Sequence, residues 1–296
     1  MANPERDEVT GTETTGHEWD GIKELNTPLP RWWVWTFLGT IIWGIGYIIA
    51  YPAIPLAHTN TKGVLGTTNR TELIAEMKAA NAAKGKFLDK MKKMSVEEIA
   101  KDPEMREFAV HAGKAAFKVN CVSCHGSGAQ GAYGYPNLND DDWIWGGTLK
   151  DIHYTITNGV RYNPDSNEDT RTAEMPTFGG PDGTLKPEQI DAVAEYVLKL
   201  SGQKHDEAKA AEGDKIFHGD AGCNGCHGDK GEGLKDAGGP RLADKIWLYK
   251  GDKASIVSQI SKPKHGVMPA WKSRLDDATI KALTVYVHSL GGGAKS

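Results

Sequence analysis

The sequence predicts an all-α protein, with one N-terminal transmembrane helix followed by two tandem copies of a small helical domain. Three observations carry that prediction. Residues 32–57 hold no charged side chain. Two identical cysteine frames, Cys121-Val122-Ser123-Cys124-His125 and Cys223-Asn224-Gly225-Cys226-His227, use all four cysteines of the chain. Finally, the residues flanking each frame repeat.

In chain order, residues 1–31 form an acidic tail. Residues 1–56 carry 3 basic and 7 acidic side chains out of a whole-chain net charge of −4. The uncharged run then contains Trp32, Trp33, Trp35, Trp43, Tyr47 and Tyr51. About 20 apolar residues span a bilayer as a helix, and aromatic side chains gather at its interfaces. Gly39, Gly44 and Gly46 offer a close approach to another helix. A long acidic tail without a basic leader precedes the run, which argues for a retained anchor over a cleaved signal. Arg31 is the one basic residue hard against the span, so charge asymmetry gives little help with orientation.

Residues 58–103 read as a helical linker. Residues 71–94 are rich in Ala, Lys, Glu and Met, all good helix formers. Ser95-Val96-Glu97-Glu98 fits a capping box. Asp102-Pro103 fits a cap and first helical residue for the helix that leads to Cys121.

The frames themselves read C-x-x-C-H, the attachment sequence for haem c. Two cysteines three positions apart can each form a thioether with one porphyrin vinyl group, and the next histidine can ligate the iron. A zinc ribbon would pair two such knuckles about 15–20 residues apart, whereas Cys124 and Cys223 are 99 positions apart. A thioredoxin-like redox pair needs a βαβ context that neither frame has. Disulfides within C-x-x-C would close loops too short to stabilise much. The expected cofactors are therefore two covalently bound haems c, on Cys121 and Cys124 and on Cys223 and Cys226.

Around them the chain repeats itself. Gly113 and Phe117 precede the first frame as Gly213 and Phe217 precede the second. Pro136 and Leu138 follow as Pro240 and Leu242 do, then Met175-Pro176 and Met268-Pro269. Two closing helices match at Leu185/Leu275, Ile190/Ile280, Tyr196/Tyr286, Leu200/Leu290 and Gly202/Gly292. Their apolar residues recur three or four apart, so one face is buried. Domain boundaries are expected at residues 104–205 and 206–296. The interval from haem histidine to methionine is longer in the first copy, and its extra polar stretch, residues 163–174, is expected at the surface. Met175 and Met268 stand at equivalent places and are the candidate sixth ligands, with His125 and His227 the fifth. Thioether ligation raises the reduction potential. Methionine also fills gaps in cores, and His153 and His265 are competing ligands that lack counterparts in the other copy.

The order helix, haem frame, Gly/Pro-rich loops, Met-Pro loop, closing helix resembles the class I cytochrome c domain, in which the porphyrin supplies apolar surface to a small core. The stretch from His17 through Trp19-Asp20-Gly21-Ile22 and Asn26-Thr27-Pro28-Leu29-Pro30-Arg31-Trp32-Trp33 resembles the amino-terminal signature of the CcoP/FixP family, the dihaem subunits of cbb3-type cytochrome c oxidases. That resemblance covers nearly the whole chain. It implies that Cys121, Cys124, His125 and Met175 hold one haem, and Cys223, Cys226, His227 and Met268 the other. It also implies relay of single electrons from a cytochrome c donor, through a monohaem cytochrome c subunit, to a haem–copper catalytic subunit. Oxygen reduction then occurs outside this chain. Haem c is attached outside the bacterial inner membrane, so the tail is expected in the cytoplasm and the haem domains in the periplasm. Some members have two spans where this chain shows one. A haem-containing dehydrogenase subunit and a dihaem peroxidase are the alternatives, the latter needing a haem without a thioether. No basic domain suggests nucleic acid. The acidic run Asp140, Asp141 and Asp142 is a candidate attractor for a basic donor.

Overall fold

The computed structural model describes residues 5–163 and 165–292, so Pro164, in the loop expected at the surface, and the last four residues lie outside the described ones. The chain divides into two compact units, Met1–Ala83 and Lys84–Ser296.

The first unit contains an element that the all-α expectation lacks. Strands β1 (Thr14–Trp19) and β2 (Ile22–Leu25) pair antiparallel. Asp20 and Gly21 join them, with φ of 49° and 84°. Asp-Gly with both φ positive is the two-residue turn whose twist matches a hairpin. Helix α1 (Arg31–Ala50) follows Pro30 and buries none of its side chains within the chain. Twenty residues at 1.5 Å each give about 30 Å, the thickness of a hydrocarbon core. It ends seven residues before the expected limit at 57. Pro52 disfavours helical backbone at the residue before it, and Tyr51 is extended at φ −116°, ψ 162°.

Helix α2 (Asn69–Lys93) runs across the junction between the units. In the second unit, α3 (Val96–Lys101) opens with the predicted capping box: Glu98 N donates to Ser95 Oγ at 3.2 Å and Ser95 N donates to the Glu98 carboxylate at 2.7 Å. Asp102 caps α4 (Pro103–Asn120) by accepting from Met105 N at 3.1 Å. Then come α5 (Val122–His125), α6 (Leu149–Asn158), α7 (Pro187–Leu200), α8 (Glu207–His218), α9 (Asn224–His227), α10 (Lys253–Ser261) and α11 (Asp277–His288). Thr148, Asp206, Asp252 and Asp276 cap α6, α8, α10 and α11 through side-chain oxygens, so each helix start satisfies N–H groups that would otherwise be orphaned.

The helices form two lobes, and the copies exchange their ends. Helix α4 of the first copy packs on α11 of the second, whereas α8 of the second packs on α7 of the first. Both crossings use glycine. A Cβ on Gly113 would stand 2.2 Å from Ala282 O, and one on Gly213 would stand 2.0 Å from Ala192 O. Beside each crossing lies an edge-to-face aromatic pair, Phe117–Tyr286 at 5.4 Å and Tyr196–Phe217 at 5.2 Å. The loops are exchanged in the same register. Trp271 N and Lys272 N donate to Ile156 O and Thr157 O at the end of α6, while Phe178 N and Gly179 N donate to Ile260 O and Ser261 O at the end of α10. The expected division between residues 205 and 206 falls in the short α7–α8 connection, and the packing crosses it. Six residues favour laying α8 back against α7, since elements close in sequence usually pack as neighbours.

Candidate functional site: two haem clefts

The first cysteine frame begins where α4 ends, and the second begins after a short turn that follows the end of α8 at His218. Cys121 closes α4 and leads into the single turn α5; Cys223 leads into the single turn α9. One turn places the two cysteines of each frame on one side of the backbone and the histidine directly after. His125 N donates to Cys121 O at 2.9 Å and His227 N to Cys223 O at 3.0 Å. The following glycines take φ of 80° and 79°, the left-handed region in which a side chain is costly.

The histidines are held by one ring nitrogen. His125 Nδ1 lies 3.1 Å from Pro136 O and His227 Nδ1 lies 2.8 Å from Pro240 O. A carbonyl only accepts, so Nδ1 carries the hydrogen and the Nε2 lone pair is the one left for a metal. Burial lowers the pKa of both imidazoles, and each carbonyl contact opposes it. The neutral form, which is the ligating form, is thereby favoured. Behind the rings the chain is again duplicated: Gly131 N donates to His125 O at 2.8 Å, and Gly233 N to His227 O at 2.7 Å.

Burial raises the thiol pKa of Cys121 and of Cys223 to about 11. Such thiols are nearly all protonated at neutral pH, the opposite of a reactive redox dithiol. Among the described residues no cluster of three or more His, Cys, Asp or Glu is arranged to hold a bare metal ion.

The clefts show the exchange most directly. Met175 lines the same cleft as Cys223, Cys226 and His227, together with Phe178, Val193, Val197, Phe217, Leu242, Trp247 and Ile260. This cleft encloses about 1500 Å³ of non-atom space, part of it open to solvent. Met268 packs instead against the core around Phe117, with Cys121, Val122, Ile152, Ile156 and Leu283. The within-copy grouping of Met175 with Cys121 and of Met268 with Cys223 is therefore not the one the fold assembles. The physical reason is the loop docking above: each Met-Pro loop is hydrogen-bonded to the helix end of the opposite copy. His265 is exposed at the rim of the second cleft. His153 is half-buried on α6, and among the described residues its Nε2 has no hydrogen-bond partner; burial lowers its pKa.

The residues fit a haem. A largely apolar cleft suits a macrocycle, a paired-cysteine turn suits two vinyl groups, and a histidine with Nδ1 engaged suits the iron. Arg241 and Lys264 on the second cleft offer cationic donors for carboxylates.

The acidic run is less exposed than its sequence suggests. Asp141 is exposed, but Asp140 and Asp142 are half-buried. Asp142 borders a polar recess with Arg241 and Glu232. Burial first, then Asp244 and Asp140, raises its carboxyl pKa to about 6, against the pull of Arg241. A carboxyl with a folded pKa above its unfolded value binds its proton more firmly in the folded state, so stability falls as pH rises from about 4 to about 6. Discounted for partial solvation, this costs about 1–2 kcal/mol at pH 7. Asp142→Asn is expected to raise the thermal midpoint at pH 7 by about 2–6 °C. That gain should vanish by about pH 4; an equal gain at both pH values would contradict it.

Comparison with known proteins locates the chain. Residues 11–58 match the family model for the N-terminal domain of cytochrome oxidase-cbb3, FixP. Residues 110–201 match cytochrome c, and residues 208–287 match cytochrome C oxidase, cbb3-type, subunit III. The cbb3-type cytochrome c oxidase subunit FixP of Rhizobium meliloti is 51% identical over 287 residues, 97% of each chain. FixP of Bradyrhizobium diazoefficiens is 50% identical over 290 residues, 98% of each chain. CcoP of Cereibacter sphaeroides is 48% identical over 280 residues, 95% of each chain.

Proposed function

Because the chain belongs to the FixP/CcoP family of cbb3-type cytochrome c oxidase subunits, we propose that it relays single electrons from a cytochrome c donor to a haem–copper catalytic subunit. It is an electron-transfer subunit of an oxidoreductase complex. The observation that carries the reading is the duplicated assembly of a two-cysteine turn, a histidine fixed through Nδ1, and a Met-Pro loop. Cys121 and Cys124 hold one haem c, and Cys223 and Cys226 hold the other. His125 and Met268 would ligate the first iron; His227 and Met175 would ligate the second.

Bound haem c supplies a one-electron ferric/ferrous couple, and a His/Met ligand set raises its potential. The chain's own residues do the rest. Pro136 and Pro240 accept the Nδ1 hydrogens and fix both imidazole planes. Phe217 and Ile260 line the cleft beside Cys223, and Phe117 and Ile156 lie in the buried core beside Cys121, so each pair would exclude water from a bound haem and lower the local dielectric. Held by a histidine and a methionine in each lobe, the bound haems would have no iron position left for oxygen or peroxide. Helix α1 anchors the chain in the bacterial inner membrane as a single span. The acidic tail is cytoplasmic and residues 58–296 are periplasmic, beside the monohaem and haem–copper subunits.

The full-length chain in detergent should carry two covalent haems, both low-spin, should be reduced by a cytochrome c donor, and should co-purify with a haem–copper subunit. Turnover of peroxide by the isolated chain, or a high-spin iron in either lobe, would sink this reading.

A further inference from the structure

Residues 159–161, just after α6, are hydrogen-bonded to both Met-Pro loops. On one side Val160 forms an antiparallel pair with Met268: Val160 N donates to Met268 O at 2.9 Å, and Met268 N donates to Val160 O at 3.0 Å. On the other side the pairing is parallel. Arg161 N donates to Arg171 O at 2.7 Å, and Arg171 N donates to Gly159 O at 3.3 Å. Gly159 sits at φ +75°, and a Cβ there would stand 2.4 Å from Met268 O.

The Arg161 side chain makes the same bridge again. Its Nε donates to Gly266 O at 2.8 Å, two residues before Met268. Its Nη1 donates to Ala173 O at 2.8 Å, two residues before Met175. Two local costs accompany this placement. Arg161 takes φ +52°, a region that L-residues seldom occupy. Its guanidinium is half-buried and, among the described residues, belongs to no salt bridge. A strained backbone and a cation bonded to two neutral carbonyls persist only where the surroundings require them. Here the requirement is geometric. The two carbonyls belong to loops of opposite copies, and a planar fork can reach both at once where a lysine, a single point charge on a flexible stem, cannot hold the same pair rigidly.

We propose that Arg161 is a positioning residue for both haems, tying the Met175 loop of the second lobe to the Met268 loop of the first so that the two thioethers seat together. This rests on the methionine-ligation reading.

The test uses the full-length, haem-loaded chain in detergent, as wild type and as Arg161→Lys, which keeps the charge and most of the stem. The readouts are covalent haem content, the absorption band that marks thioether ligation of ferric iron, and the affinity of the ferric irons for added imidazole. Arg161→Lys is expected to keep both haems, to lose more than half of the band, and to bind imidazole about tenfold more tightly at both irons. A loss beyond half can come only from both lobes. A band of wild-type size, or a change confined to one iron, overturns the proposal while leaving methionine ligation intact. A wild-type chain without the band removes the ligation reading and this proposal together.

Discussion

Replacing Gly113 by valine is expected to remove the first lobe and its haem. Helices α4 and α11 touch backbone to backbone there: an added Cβ would lie 2.2 Å from Ala282 O and 2.6 Å from Tyr286 Cβ. Neither atom is the free end of a flexible side chain, so one helix would have to move away from the other. Ordinary overpacking costs about 1–3 kcal/mol. A main-chain collision at the centre of the principal helix pair belongs with the exceptional losses above about 4 kcal/mol, against a total domain stability of roughly 5–15 kcal/mol. Glycine inside a helix is itself unfavourable by about 0.5–1 kcal/mol relative to alanine, so its presence here answers to the crossing. The Gly113→Val chain should carry haem on Cys223 and Cys226 alone, and Gly213→Val should carry it on Cys121 and Cys124 alone. A Cβ added to Gly85, in α2, would meet nothing within 4 Å, so Gly85→Ala is the control and should keep both haems while gaining about 0.5–1 kcal/mol of helix stability. Two haems per chain and unaltered melting in Gly113→Val would contradict the argument.

The same crossing explains how far the sequence could be read. The cysteine frames, the Met-Pro pairs and the closing helices are legible because each is a local pattern with a local cause. Ser95, Asp102 and the apolar spacing of α7 and α11 belong to the same class. The partner of each closing helix is not local. Because the copies repeat, α4 meets the same surface on either closing helix: Ala192 and Tyr196 on α7 correspond to Ala282 and Tyr286 on α11. Periodicity cannot choose between them. The choice rests with connection length, and the few residues between Leu200 and Glu207 were the available signal. The tail hairpin was also legible, through Asp20-Gly21 between Trp19 and Ile22, as was the end of α1 at Pro52. The raised carboxyl pKa of Asp142 was not, because besides its burial it depends on the charges of Asp244 and Arg241, about a hundred residues away in sequence.

An exchanged fold gives each half of the chain an incomplete site, and the consequence is an all-or-none result. In a Cys223→Ser/Cys226→Ser background only the first frame can hold haem. Met268→Ala in that background is expected to abolish the thioether-to-ferric band, whereas Met175→Ala should leave it at full size. In a Cys121→Ser/Cys124→Ser background the two outcomes should reverse. The midpoint potential should follow the same pattern, falling with loss of the sulfur ligand within the range of roughly 0.8 V that axial ligation spans. The argument is geometric. The Met268 loop hangs on Ile156 and Thr157 at the end of α6, beside Cys121, and the Met175 loop hangs on Ile260 and Ser261 at the end of α10, beside Cys223. For Met175 to reach the first iron, its loop would have to leave α10, and α7 would have to leave Gly213. Abolition of the band by Met175→Ala in the first background would restore within-copy ligation and refute the exchange. A chain built this way cannot assemble one finished haem site before the second half has been made: truncation after residue 205 removes α11 from α4 as well as Met268 and the second frame, so it should leave neither lobe with a haem.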